Sequence, residues 1–178
     1  MKTIDQKLLK RFLKEAGGFL EGDWMLIGGT VLPSLGIDHR STTDIDLIGM
    51  TSAQQTQTLK LMELAERLGL PVETINQAGA YFLSKFKDVA KHRVVLHKGS
   101  SATIYRPDAT LFILLKLKRI SDSDLLDCLQ MLKHARKTKE AVDTKRLERE
   151  AQLAIKQIYD APRKMKNLET LLETLHRA

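Results

Sequence analysis

An α+β fold that ends in a helix-only lobe is predicted by three features of this 178-residue chain. Helical and strand-like periodicities alternate up to Pro107. Two of the strand-like runs lie close together and are separated by a glycine turn, and every periodic segment after Pro107-Asp108 has helical spacing. Strands interleaved with helices, then helices alone, describe an α+β core over residues 1–108 and a helical lobe over residues 109–178, two parts that can pack as one domain.

The elements follow in order. Leu8, Leu9, Phe12, Leu13, Ala16, Phe19 and Leu20 form one apolar helix face, and Gly17-Gly18 or Gly22 is expected to end that helix. Trp24-Met25-Leu26-Ile27 reads as a short buried strand, broken sharply by Gly28-Gly29. Residues 30–35 read as a helix start that favours an anion. Asp44-Ile45-Asp46-Leu47-Ile48 is the second strand. Ser52-x-x-Gln55 resembles a capping box for a helix carrying Leu59, Met62, Ala65 and Leu68, stopped by Gly69 before Pro71. Residues 73–88 are ambiguous, since Tyr81-Phe82-Leu83 suits helix or strand. Residues 93–96 and 101–105 read as strands joined through Lys98-Gly99-Ser100.

Pro107-Asp108 opens a strongly apolar helix from Ala109 to about Ile120, and Ser121-x-x-Asp124 caps another through about Lys137. Two more helices carry Leu147, Ala151, Ala154, Ile155 and Ile158, then Leu168, Leu171, Leu172 and Leu175, with Pro162 marking the break between them.

Composition is that of a globular protein, with no apolar run long enough to span a bilayer. The first residues lack the apolar core of a secretion signal, and a single cysteine, Cys128, forms no internal disulfide, so a cytoplasmic protein is expected. The formal charge is +7, and much of the basic excess falls between Lys133 and Lys166. Those charges fit a solvated face or a surface turned to nucleotide or RNA, but aromatics do not interleave with them, so no base-stacking platform is indicated there.

Two segments carry chemistry. Side chains alternate along a strand, so Asp44 and Asp46 share a face, where they repel unless a cation lies between them. Mg²⁺, which takes one or two carboxylates plus phosphate oxygens, suits such a pair. Gly28-Gly29 lets backbone N–H groups approach a ligand. Arg40 and Thr42 lie between the two strands. They fit a substrate role, but Arg40 also suits a simple carboxylate pair and Thr42 simple strand geometry.

The string Gly28-Gly29-Thr30 … Arg40-x-Thr42-x-Asp44-Ile45-Asp46-Leu47 resembles the signature of the DNA polymerase β-like nucleotidyltransferase superfamily, and most of all its small bacterial members of the abortive-infection, type IV toxin-like branch. Thr30 keeps the hydroxyl of the serine usual there and adds a methyl group. The resemblance implies a small mixed nucleotidyltransferase-type sheet with flanking helices. It implies that Gly28, Gly29 and Thr30 hold the phosphates of a nucleoside triphosphate (NTP), while Asp44 and Asp46 bind Mg²⁺ or Mn²⁺. Arg40 and Thr42 are expected to line the same site.

Leu114-Leu115-Lys116-Leu117-Lys118-Arg119 … Asp124-Leu125-Leu126-Asp127 resembles a second motif of these relatives, with Ser123 where lysine is frequent. Lys116 and Arg119 share a helix face and suit the offsetting of triphosphate charge; Asp124 and Asp127 share the next face. Lys116 and Asp127 are therefore catalytic candidates, and Arg119 a nucleotide-binding one. Helix capping by Asp124 and the helix dipole account for part of the same pattern.

One departure stands out. Active members of the superfamily that this chain resembles usually carry a third carboxylate on a later strand, and the best candidate strand, residues 93–96, has no acid; Glu73 and Asp108 are the nearest substitutes. The five histidines, including His39 beside the motif, lack metal-ligand spacing.

The expected function is Mg²⁺-dependent transfer of a nucleotidyl group from an NTP to a hydroxyl of a protein or RNA, in a cleft between sheet and helical lobe. The resemblance also admits a toxin-like role with an antitoxin partner. The alternative is a non-catalytic member that binds a nucleotide or a partner. No membrane association is expected.

Overall fold

The computed structural model describes residues 3–38 and 40–176, so His39 lies outside the described residues. The chain forms two compact units, residues 1–107 and 108–178. It is an α+β protein with one mixed five-stranded sheet and flanking helices.

In the first unit, α1 (Gln6–Phe19) is capped by Asp5, whose carboxylate accepts from the Leu8 N–H at 2.7 Å. Then follow β1 (Gly22–Ile27), one 3₁₀ turn (Gly28–Thr30), α2 (Val31–Ser34) and β2 (Ile45–Gly49). After these come α3 (Ser52–Gln55), α4 (Thr58–Arg67), β3 (Ile75–Asn76), α5 (Ala80–Leu83), β4 (Arg93–Lys98) and β5 (Ala102–Pro107). The strand order is β3-β2-β1-β5-β4; β1 runs parallel to β5 and β2 to β3, while the β1–β2 and β4–β5 pairs are antiparallel.

Alternation sorts the strand residues between two faces. Trp24, Leu26, Ile45, Leu47, Ile75 and Ile104 enter one buried cluster with Leu9, Phe12 and Leu13 of α1 and Leu61 and Leu64 of α4. Met25, Ile27 and Ile48 belong to the opposite face and are buried as well. Central strands covered on both sides explain why these segments read as continuous apolar runs.

Several elements differ from the sequence expectation. Gly17-Gly18 does not stop α1, which runs on to Phe19. A Cβ on Gly17 would lie 2.8 Å from His97 Cδ2 and 3.0 Å from Gly99 Cα, and one on Gly99 would fall on the Gly17 carbonyl. The Ser101 N–H donates to that carbonyl at 3.0 Å. The glycines thus let helix backbone and hairpin backbone touch, and that packing outweighs their low helix propensity.

The expected helix start at residues 30–35 is only the four-residue α2, too short for a developed dipole. Thr51 and Gln54, not Ser52 and Gln55, form the capping box. The helix then breaks before α4, which buries Ala65 and Leu68 as expected but with Leu61 and Leu64 rather than Leu59 and Met62, which are 80% and 37% exposed.

In the second unit, Asp108 caps α6 (Ala109–Leu117), with the Leu111 N–H donating to its carboxylate at 2.8 Å. α7 (Asp122–Thr138), α8 (Thr144–Lys156) and α9 (Pro162–His176) complete the unit. α6 ends three residues earlier than its apolar pattern suggested. Ile120 takes φ +35°, an uncommon value for a β-branched residue, and makes a buried corner held by its N–H to the Lys116 carbonyl (2.8 Å) and by the Asn167 side chain to its own carbonyl (3.0 Å). Pro162 does not merely separate the last two helices. It is the first residue of α9, where its missing N–H costs nothing. Among the described residues no helix is long and apolar enough to cross a membrane.

The close approach of α1 to the β4–β5 turn makes opposite predictions for two glycines. Gly99→Ala should lower the free energy of urea unfolding by about 1–3 kcal/mol, because backbone must shift. Gly18→Ala, whose Cβ would meet nothing closer than Ser100 Oγ at 3.9 Å, should leave stability unchanged or raise it by up to about 1 kcal/mol.

Candidate functional site

The β1–β2 register aligns Ile27 with Asp46, so the chain leaves β1 and turns at Gly28 directly beside that carboxylate. Gly28 adopts φ +73°, a conformation that favours glycine, and a Cβ built on it would fall on the Asp46 carboxylate. Both backbone angle and space therefore require glycine here. A Cβ on Gly29 would lie 2.8 Å from Arg40 Nη2 and 3.2 Å from Thr42 Oγ1. Five residues singled out in the sequence, Gly28, Gly29, Arg40, Thr42 and Asp46, thus meet at one turn of the first unit. An acid and a guanidinium approach the bare glycine pair together.

The other two residues of that motif are placed differently. Asp44 is exposed and precedes β2 by one residue, so the strand begins at Ile45; its carboxylate accepts a long 3.5 Å bond from the Thr43 hydroxyl. Thr30 is fully buried, and its hydroxyl donates to the Ile27 carbonyl at 3.2 Å, closing the turn.

The strand beside Asp46 was missed in the sequence. β3 has only two residues, too few for a periodic signal, yet it pairs in parallel with β2 and sets Asn76 in register with Asp46. Asn76 Oδ1 accepts from the Ala78 N–H at 2.9 Å. Residues 93–96, where a third acid was sought, belong to β4 at the opposite edge of the sheet. Glu73 is exposed in the turn before β3, and Asp108 is the cap of α6. No group of three or more His, Cys, Asp or Glu with metal-site geometry occurs among the described residues. What the turn offers a divalent ion is Asp46 with Asp44 nearby in the chain, which suits Mg²⁺ where phosphate oxygens complete the shell.

In the second unit, Lys116, Arg119, Asp124 and Asp127 form one network. Lys116 Nζ donates to Asp127 Oδ2 at 2.6 Å and to Asp124 Oδ1 at 3.1 Å. Arg119, 73% exposed, makes a two-pronged bond to Asp124 at 2.6 and 2.7 Å. Ser121 adds its N–H and hydroxyl. Lys116, Asp124 and Asp127 are buried. Burial pushes the Asp124 carboxyl up, but the Arg119 bonds, the Lys116 charge and the Ser121 hydroxyl together outweigh it and hold the group well below the usual carboxylate range. This network by itself accounts for the four residue types at their i, i+3 spacings. Cys128, also buried in α7, has its thiol pushed well above the ordinary range by desolvation and is inert as a nucleophile.

No family model, curated protein or solved structure matches the chain.

The network makes its own predictions. Lys116→Met strands Asp127 without its cation and should cost about 3–5 kcal/mol of unfolding free energy; adding Asp127→Leu should recover much of that loss, since Asp124 keeps Arg119 and Ser121. The depressed Asp124 carboxyl stabilises the fold above its unfolded value of about 4, and that contribution is lost as the pH falls further towards the folded value. The urea midpoint should therefore drop below about pH 4, and the drop should be smaller in Asp124→Asn.

Proposed function

We propose that the first unit binds an NTP with Mg²⁺ or Mn²⁺ at the Gly28-Gly29 turn, as a cytoplasmic nucleotidyltransferase-type protein that moves a nucleotidyl group to a hydroxyl of a protein or RNA. The observation that carries this reading is the meeting of Asp46, Arg40 and Thr42 on two glycines, one of which, Gly28, takes a left-handed backbone angle against the Asp46 carboxylate. A bare turn lets phosphate oxygens reach backbone N–H groups, and Arg40 supplies positive charge where a triphosphate would lie. Asp46 and Asp44 would hold the divalent ion, which supplies neutralisation of phosphate charge. Positioning and electrostatics then carry most of the catalysis, as in other phosphoryl chemistry. A toxin-like role restrained by an antitoxin partner belongs to the same proposal.

A second reading is favoured by Asn76. An amide stands beside Asp46, and it cannot take the proton of an attacking hydroxyl as a third carboxylate would. On that reading the protein binds its nucleotide or a partner without transferring anything.

Titration calorimetry with the four NTPs tests both. Binding should require Mg²⁺ and weaken at least about tenfold in Asp44→Ala/Asp46→Ala, with folding checked by circular dichroism. A folded wild-type protein that binds none of them overturns the proposal. Transfer of α-phosphate label to an acceptor in a cell extract by the wild type selects the enzyme. Binding without transfer, with transfer gained in Asn76→Asp, selects the second reading.

A further inference from the structure

The cation–aromatic interleaving absent from the C-terminal lobe occurs in the first unit, over residues 81–93. The run Tyr81-Phe82-Leu83-Ser84-Lys85-Phe86-Lys87-Asp88-Val89-Ala90-Lys91-His92-Arg93 holds four Lys or Arg and a single acid. That acid, Asp88, lies 3.3 Å from His92 within the same stretch, and Arg93 is held by Asp23 of β1 at 3.1 Å, so the positive charge of the surface rests on Lys85, Lys87 and Lys91. Tyr81 and Phe82 are 64% and 51% exposed. They place two adjacent aromatic rings at the surface beside the lysines.

Their geometry is ordered. The rings meet edge to face, with centroids 5.5 Å apart and planes at 73°. Lys85 Nζ sits 4.0 Å from the Tyr81 ring centre and bonds the Tyr81 hydroxyl at 2.8 Å, which fixes that ring and sets a cation against it. The backbone beneath is pinned too, because a Cβ on Gly79 would meet the side chains of Ile27 and Ile48, the neighbours of Asp46 on its face of the sheet. Lys85, Lys87 and Lys91 are all exposed.

We infer that Tyr81 and Phe82, flanked by Lys85, Lys87 and Lys91, form a binding surface for single-stranded nucleic acid, on which bases stack against the rings while the lysines follow the phosphates. Charge complementarity selects this occupant. A purely apolar partner would gain nothing from the lysines, whereas a polynucleotide strand uses both π-faces and cations. Stacking tolerates any base and ignores the 2′-hydroxyl, so RNA and DNA strands are both accepted. The inference stands apart from the nucleotide reading, since none of its residues belongs to the Gly28 turn.

Fluorescence anisotropy of labelled oligouridylate and oligothymidylate of about 12 nucleotides, with an abasic strand and a duplex as comparisons, tests it. Wild-type protein should bind both single strands in preference to the abasic strand and the duplex. Tyr81→Ala/Phe82→Ala should weaken the single strands at least about tenfold while leaving the abasic strand nearly unchanged. Tyr81→Trp/Phe82→Trp should retain binding. Lys85→Ala/Lys87→Ala should make the slope of log affinity against log salt shallower by about 0.7 for each phosphate that is no longer neutralised. All these positions are exposed, so the variants should keep the wild-type melting curve and any NTP binding. Equal binding by the Tyr81→Ala/Phe82→Ala protein, a preference for duplex, or self-association of the wild type through these rings without strand binding would overturn the assignment.

Discussion

The antiparallel pairing of β1 with β2 constrains the candidate site more than any side chain in it. Ile27 opposite Asp46 fixes where the strand ends relative to the carboxylate, and Gly28 must then turn in the left-handed region with no room for a Cβ. A slip of one residue would send Asp46 into the cluster of Trp24, Leu26, Ile45 and Leu47, where a lone carboxylate costs far more than the pairing gains. Burial of the opposite set of residues thus enforces the register, and the register delivers acid, guanidinium and bare backbone to one place. Chemistry at the turn is a by-product of a packing decision made one residue away.

What was legible in the sequence follows from this. The Ile45–Ile48 alternation and the glycine pair are local signals, although the strand begins one residue after Asp44, and the convergence of Arg40 and Thr42 on Gly29 followed the motif that named them. Features that depend on distant pairing were not legible. β3 has two residues, and the presence of Asn76 beside Asp46 exists only through its pairing with β2. Gly17-Gly18 looked like a helix stop because propensity is local, while the hairpin packed against it is some 80 residues further along the chain. The buried face of α4 was half legible: Ala65 and Leu68 are buried as expected, but apolar residues occur at 59, 61, 62 and 64, so spacing alone does not choose Leu61 and Leu64 over Leu59 and Met62.

The second unit shows how one pattern satisfies two explanations. Lys116 and Arg119 in one stretch and Asp124 and Asp127 in the next are what a triphosphate site would want, and equally what a buried ion network wants. The network places a lysine between two carboxylates and anchors one of these with a two-pronged arginine and a cap serine. Removing Lys116 takes the shared cation from two buried carboxylates, so the lysine has a structural role whether or not the network meets a ligand. Sequence spacing reports that the four residues act together; it does not report on what.

Sheet topology also has a kinetic side. The Lys116 bonds span 8 and 11 residues, so the α6–α7 hairpin closes through short loops. The parallel β1–β5 pair instead joins Gly22 to Ala102, a closure over roughly 80 residues. On a ribosome the inner edge of β1 therefore waits, unpaired and apolar, until β5 has emerged, although β2 and the Gly28 turn are made much earlier. The turn with its carboxylate can form in a nascent hairpin, but it becomes rigid only when the last strand of the sheet arrives. Emergence of β5, after chain beyond Pro107 has been made, is the step that completes the sheet around the turn, and a pause before it would prolong the exposure of the β1 edge.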